Sequence, residues 1–392
     1  MMRLFLKKGR EDSLRRFHPW VFSGAIARYE GNAEEGDVVE VLSHDGDFLA
    51  AGHYQNGSIT VRILSFTPCA AEAAFWEDTL RKAQALRTAA LHCADTTAYR
   101  LVHGEGDNLP GLIIDIYGNT AVLQAHSIGM FRARADIVAA LQKIYGEQLS
   151  AVYDKSSATL ASTANEAVAD SYLYRAGTPE NIALENGYRF AVDWEQGQKT
   201  GFFLDQRDNR QLLSHYAKGR SVLNLFCYTG GFSVYALGGG AANVCSVDSS
   251  QRAIELANRN AALNFSAAAP HEAIAADAFD FLRRSEPNAY NAIILDPPAF
   301  AKHKGALHNA LQAYKRLNAA AFSRIASGGI IFTFSCSQVV GKTDFRNAVF
   351  SAAAMAGRNV RILHQLTQPA DHPINIYHPE GEYLKGLVLY VE

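Results

Sequence analysis

Cysteine is scarce in this chain: five of 392 residues, an odd number with no CxxC pair among them. That argues against a disulfide framework or a structural zinc site, and suits a reducing, cytoplasmic setting. Charge of one sign is also lacking. Thirty-seven Lys and Arg stand against 39 Asp and Glu, a net charge of −2. Any nucleic-acid contact must therefore come from local basic clusters and not from the surface as a whole. No run of about 18 apolar residues occurs, so no membrane-spanning helix is expected. The amino terminus (Arg3, Lys7, Lys8, Arg10) lacks the apolar core of a secretion signal. What is left is ordinary globular material, 48% apolar and 19% charged, long enough for two or three domains.

Residues 1–67 predict short strands at Val38 to Leu42, Phe48 to Tyr54 and Ile59 to Leu64, separated by the turns His44-Asp45-Gly46-Asp47 and Gln55-Asn56-Gly57-Ser58. This suits a small β-barrel. Its first part carries Arg3, Lys7, Lys8, Arg10, Arg15 and Arg16 against Glu11 and Asp12, either a solvated face or an RNA-binding arm. Residues 68–180 predict an α+β unit. One helix is striped by Trp76, Leu80, Ala83, Leu86 and Ala90, a second by Phe131, Ala135, Val138, Leu141 and Tyr145. Strands are expected at Tyr99 to Val102, Leu112 to Tyr117, Ala121 to His126, Ala151 to Asp154 and Tyr172 to Arg175. Ile182 to Trp194 reads as a hairpin leading into the third part, residues 181–392.

There the pattern alternates strand and helix, as in a parallel sheet. Strands are expected at Ser221 to Phe226, Asn243 to Val247, Ala273 to Ala276, Ala292 to Leu295 and Ile330 to Phe334. Ile254, Ala257 and Ala261 mark one intervening helix, and Tyr314, Leu317, Ala321 and Ile325 another. Val360 to Leu366 and Leu387 to Val391 predict a closing hairpin around a His/Pro-rich loop. The run from Val222 to Phe232 is a strand entering the turn Cys227-Tyr228-Thr229-Gly230-Gly231 and then a helix. Glycines there let a backbone approach a ligand closely, but G-x-G-x-x-G is absent. Asp248 ends the next strand, 24 residues after Asn224, where an acid can accept from ribose hydroxyls. Asp277 ends the third strand, within reach of an adenine amino group. Upstream, Asp205 is a candidate helix N-cap before Leu212, Leu213 and Tyr216, and Phe203 a candidate aromatic neighbour for a bound ligand.

Two further runs end strands: Asp296-Pro297-Pro298-Ala299-Phe300 and Phe334-Ser335-Cys336-Ser337, with Cys336 forty residues after Asp296. A carboxylate on a rigid Pro-Pro turn and a thiol, both at the ligand-binding edge of an open α/β sheet, suit chemistry on a flat nitrogenous base. Cys227 beside the glycines reads as a small buried residue, and Cys69, Cys93 and Cys245 as structural.

The turn with Asp248, Asp277 and Asp-Pro-Pro resembles the class I S-adenosylmethionine-dependent methyltransferase fold. The ordered set QKTGFFLDQR, NLFCYTGGFS, DPPAF and FTFSCS, with Tyr99 to Leu112, resembles the large-subunit ribosomal RNA cytosine-5 methyltransferase family with an amino-terminal PUA domain. The resemblance implies a PUA RNA-binding barrel, a central α+β domain and a Rossmann-like catalytic domain. It implies Cys336 as the nucleophile and Asp296 as the acid that binds the base. Candidate cofactor contacts are Phe203, Gln206, Asn224, Phe226, Tyr228, Gly230, Gly231, Asp248 and Asp277. Candidate substrate contacts are Pro297, Pro298, Phe300, Lys302, Arg15 and Arg16. The implied cofactor is S-adenosyl-L-methionine, with no metal; the implied partner is ribosomal RNA, with no membrane and with room for a homodimer. Ala299 stands where some related RNA enzymes carry a second cysteine. Two other readings stay open at this point: methylation of an exocyclic nitrogen of guanine or adenine, which needs no thiol, and a catalytically silent RNA-binding assembly factor.

Overall fold

The computed structural model describes residues 1–91, 95–160, 168–179 and 181–392. They form two compact units. One comprises Met1–Gly187, Val192–Leu204 and Ala370–Gly381; the other comprises Tyr188–Ala191, Asp205–Pro369 and Glu382–Glu392.

The first unit begins with a six-stranded sheet. Across it run Trp20–Phe22, Ile59–Ser65, Phe48–Tyr54, Val38–Leu42, Arg3–Leu6 and Ile26–Glu30. Neighbours are antiparallel except Arg3–Leu6 beside Val38–Leu42, which is parallel. Alternation puts Leu4, Leu6, Val39, Val41, Val61 and Ile63 into one core. The three strands named from the sequence are present, with three others whose three to five residues carry little alternation of their own.

A second sheet takes Ala98–His103, Leu112–Tyr117, Thr120–Ala125, Ala151–Asp154 and Ser171–Arg175 in simple succession. The helix Ala73–Ala90 buries Trp76, Leu80 and Ala83 as expected, but Leu86 is 38% exposed and Arg87 takes the inward position. The reason is charge pairing. The Arg87 guanidinium grips the Asp107 carboxylate and also donates to the carbonyls of Arg100 and Asp371. The expected second helix is broken at Ala133 into Ile128–Arg132 and Arg134–Tyr145. Its apolar face runs through Ile137, Val138, Ala140 and Leu141, and Ala135 is exposed. Of the expected hairpin, this unit holds the strand Ile182–Glu185, and the strand Tyr188–Ala191 belongs to the other unit.

The second unit is a seven-stranded sheet. Its strands are β1 (Ser221–Leu225), β2 (Asn243–Asp248), β3 (His271–Ala275), β4 (Tyr290–Leu295), β5 (Ile325–Ser335), β6 (Val360–Leu366) and β7 (Lys385–Val391). Their order is 3-2-1-4-5-7-6, parallel from β3 to β5, with β7 antiparallel between β5 and β6. Its helices are α1 (Arg207–Ala217), α2 (Gly231–Gly238), α3 (Gln251–Asn264), α4 (Ala278–Arg284), α5 (Leu307–Arg324) and α6 (Lys342–Met355). They cover two apolar faces. Leu223, Leu225, Ile293, Leu295 and Ile331 pack with Tyr314, Leu317 and Phe345 on one side; Val222, Ile294, Phe332 and Phe334 pack with Leu213 and Phe232 on the other. Ile325, expected in a helix, is buried as the first residue of β5. This is a class I, Rossmann-like sheet. Its strand order reverses direction between β1 and β4, and an open sheet holds ligands at such a switch point, beyond the carboxyl ends of its strands.

Candidate active site

The β1 turn is built by backbone. Phe226, Tyr228 and Gly230 all have positive φ, at 58°, 46° and 76°. Two of them carry side chains, and such backbone is costly unless its surroundings hold it. The surroundings do so. The Cys227 N–H donates to the Val247 carbonyl (3.0 Å), and the Gly230 N–H to the Cys227 carbonyl (2.8 Å). The Asn260 amide of α3 donates to the Thr229 carbonyl (2.8 Å). At Gly230 a Cβ would lie 3.0 Å from the Cβ of Ala257, so both φ and space demand glycine. The Asp248 carboxylate accepts from the N–H groups of Tyr228 and Ser250, each at 2.9 Å, which orients it on the turn.

Asn224 lies beneath, 1% exposed. Its amide donates to the Ser233 hydroxyl (2.8 Å), the first link of a buried chain through Ser246 (2.6 Å) to His271 (2.8 Å). Asp277 caps α4, accepting from the Asp280 N–H at 2.9 Å. Gly231 starts α2. The Cys227 thiol is buried, and burial followed by the nearby Asp248 charge pushes its pKa well up, which keeps it protonated. Cys245 is buried and shifted the same way by burial. Cys69 is partly exposed, and Cys93 lies outside the described residues.

At the other half of the edge, Leu225 of β1 pairs with Leu295 of β4, and Leu295 with Thr333 of β5. Phe226 and Asp296 therefore leave the sheet side by side, and Ser335-Cys336-Ser337 leaves it next to Asp296. The Asp296 carboxylate accepts from the Gln206 amide (3.1 Å), whose own oxygen accepts from Asn209 of α1 (2.6 Å). Pro297 is buried and Pro298 exposed. Phe300 is half-buried, its ring 4.7 Å from that of Tyr314. Lys302 is exposed. The Ser337 hydroxyl donates to the Ala301 carbonyl (2.6 Å), tying the thiol segment to the Asp-Pro-Pro loop. Cys336 is partly buried against the apolar cluster of Phe334 and Leu384. Beneath lies Tyr314, fully buried, its pKa pushed up to about 12 by burial and, further, by the neighbouring Cys336 and Asp296 charges.

Asp205 is not a helix cap. It sits in the turn Leu204–Gln206 and accepts from the Tyr383 hydroxyl (2.7 Å), while Gln206 precedes α1 without a capping side chain. Phe203 belongs to the first unit, where the Lys199 ammonium lies 4.9 Å from its ring centroid. Arg15 and Arg16 are exposed at and just after the short helix Asp12–Arg15. Sequence reasoning passed over Tyr314, which reads as one more member of an apolar stripe. It also passed over Lys385, whose signal was available as the one charge in the apolar run of β7.

Comparison with known proteins bears on this arrangement. Residues 4–66 match the PUA-like domain family, and residues 166–377 match the family described as S-adenosylmethionine-dependent methyltransferase. The chain belongs to the S-adenosylmethionine-dependent methyltransferases. It is 40% identical to a ribosomal RNA large subunit methyltransferase I of Escherichia coli O139:H28 (strain E24377A / ETEC), over 100% of this chain and 99% of that protein. A crystal structure of a methyltransferase complexed with SAH is 26% identical, covers both chains fully and superposes with a TM-score of 0.84. A methyltransferase from Streptococcus mutans gives the same TM-score and coverage at 25% identity. The methyltransferase uses S-adenosylmethionine, and its residues fit that cofactor. The left-handed turn clears backbone beside the switch point, and two N–H groups hold the Asp248 carboxylate where ribose hydroxyls are bound in such folds. Among the described residues no group of three or more His, Cys, Asp or Glu is placed to hold a metal ion, and no helix is long and apolar enough to cross a membrane.

Proposed function

We propose that this methyltransferase forms 5-methylcytosine in large-subunit ribosomal RNA through a transient bond between the Cys336 sulfur and carbon 6 of the base. The observation that carries the reading is the pairing of β4 with β5, which delivers a carboxylate and a thiol to one edge, beside the turn that suits the cofactor. Ribosomal RNA as the substrate class rests on the relative at 40% identity and on the PUA-like domain.

Bound S-adenosylmethionine supplies an electrophilic methyl group. The turn from Phe226 to Gly231, with Asp248 on the ribose and Asp277 near the adenine, holds the cofactor; Asn224 supports the turn from below. Gln206, before α1, completes its surroundings. Carbon 5 of cytosine is too weak a nucleophile by itself. Addition of the Cys336 thiolate to carbon 6 makes carbon 5 an enamine carbon, which takes the methyl group. A base then takes the carbon-5 proton, and the electron pair of that C–H bond re-forms the C5–C6 double bond as the C6–S bond breaks and releases the thiolate. Asp296, oriented by Gln206, binds the N3/N4 edge and stabilises the electron-rich adduct. Pro297 and Pro298 fix the carboxylate's direction. The base must leave its stack to reach this edge, where Phe300 stacks on it and Lys302 meets the backbone phosphate. Residues 1–67, through Arg15 and Arg16, hold RNA; residues 68–180 form the central domain, and residues 181–392 the catalytic one.

The test is substrate RNA carrying 5-fluorocytidine. Fluorine cannot leave as a proton does, so a covalent complex should accumulate, with the RNA on the Cys336 peptide by mass spectrometry. An enzyme that methylates unmodified RNA yet forms no such complex would refute attack at carbon 6.

A further inference from the structure

Lys385 has no part in the scheme above, yet its placement is unusual. It opens β7 and pairs across the sheet with Ser335, the last residue of β5. It is the only charged residue of its strand and is 6% exposed. Its ammonium donates to the Ser337 carbonyl. The side chain thus spans the segment Ser335-Cys336-Ser337 from one end to the other. Ser337 in turn holds the Ala301 carbonyl, so the amine, the thiol segment and the Asp-Pro-Pro loop form one connected unit.

A buried ammonium with one carbonyl acceptor is poorly compensated, and a negative charge close by would repair this. The charged and titratable groups around it are few. Glu382 attracts it and Lys342 of α6 repels it, but these two pair with each other. Tyr314 of α5 and Asp296 after β4 are the titratable groups on the neighbouring elements, and Tyr314 feels both Cys336 and Asp296. A charge on the Cys336 sulfur would attract the ammonium, as Glu382 does.

We infer that Lys385 is a positioning residue for the nucleophile: its ammonium, held on the Ser337 carbonyl, keeps Cys336 as a thiolate at the strand edge. The inference rests on the reading of Cys336 as the attacking group. The S–H bond breaks with its electron pair left on sulfur, and the proton passes to water. Burial draws the Lys385 amine down to about 8, with the Cys336 charge opposing the fall. The ammonium is therefore present at neutral pH and lost as pH rises through that value, so its support for the thiolate operates below it.

The measurement is the pH dependence of iodoacetamide alkylation at Cys336, read by mass spectrometry on its peptide in the full-length protein. In the wild type the midpoint should lie at least about one unit below the ordinary thiol value of about 8.5. Lys385→Met should raise it by at least about one unit, so that alkylation near neutral pH slows about tenfold. Lys385→Arg should keep it low. S-adenosylmethionine binding verifies the fold of each variant, and Lys385→Gln replaces the Met variant if that one does not fold. A wild-type midpoint at or above the ordinary thiol value overturns the inference without any variant. So does an unshifted midpoint in a folded Lys385→Met or Lys385→Gln protein. The 5-fluorocytidine complex is scored separately. A low, lysine-dependent midpoint without the complex keeps Lys385 and discards the nucleophile; the complex with an ordinary midpoint does the reverse.

Discussion

The two halves of the sheet's carboxyl edge are shaped in different ways. At the ends of β1 and β2 the shape is made by main chain: three residues with positive φ, a glycine with no room for a Cβ, and a carboxylate pinned by two N–H groups. At the ends of β4 and β5 the shape is made by side chains, with Gln206 on Asp296, Ser337 on Ala301 and Lys385 on Ser337. Each half contains a cysteine, and the surroundings separate them. Cys227 is sealed beside an anion, which holds its proton on; Cys336 is half-open beside a cation. A thiol's chemistry is thus set by its neighbours and not by its position at a strand end.

The sharpest way to break the comparison is to remove each thiol in turn. Cys336→Ala should lower methyl transfer to RNA by at least about 10³-fold, as loss of a nucleophile does, whereas Cys227→Ala should stay within about threefold of wild type. Comparable losses in both would erase the distinction. Next in size is the pair of carboxylates. Asp296→Asn should cut turnover by about 10²-fold with cofactor affinity little changed. Asp248→Ala should do the opposite, weakening S-adenosylmethionine binding by about 1.5–3 kcal/mol in calorimetry, the usual worth of a charged hydrogen bond. If Asp296→Asn lost cofactor instead of turnover, the two halves would not be separate devices.

Smaller still is the backbone effect. Gly230→Ala should cost about 1–2 kcal/mol of stability from its positive φ, visible as a lower midpoint in denaturant, with weaker cofactor binding. The smallest change is expected far from the edge. Arg15→Glu with Arg16→Glu should weaken RNA binding and flatten its dependence on log salt by about two, one for each lost phosphate contact. An unchanged slope would return both arginines to a solvated surface.

Much of this architecture was legible because its signals are local. The β1 strand, its glycine turn and the helix behind it occupy consecutive residues, and Val38–Leu42 and Phe48–Tyr54 sit between turns of unmistakable composition. Misreadings arose where a distant partner overrode a local pattern. Arg87 displaces Leu86 from the inward face because Asp107, twenty residues on, offers it a buried carboxylate. Asp205 has the chemistry of a helix cap, yet it accepts from Tyr383, 178 residues away. Tyr314 has the spacing of a core residue and is one, but it also lies near Cys336 and Asp296.

By itself the chain's order of residues determined the fold class, the strand that carries the cofactor turn and the two motifs that contain Asp296 and Cys336, because each depends on contacts within a few residues. Tertiary structure alone decided which of those ends become neighbours. The strand order 1-4-5-7 places Phe226, Asp296, Cys336 and Lys385 in adjacent positions although they are spread over 160 residues of sequence. Hydrogen-bonded pairing between strands, which no local pattern encodes, brings four scattered residues to one edge of the sheet.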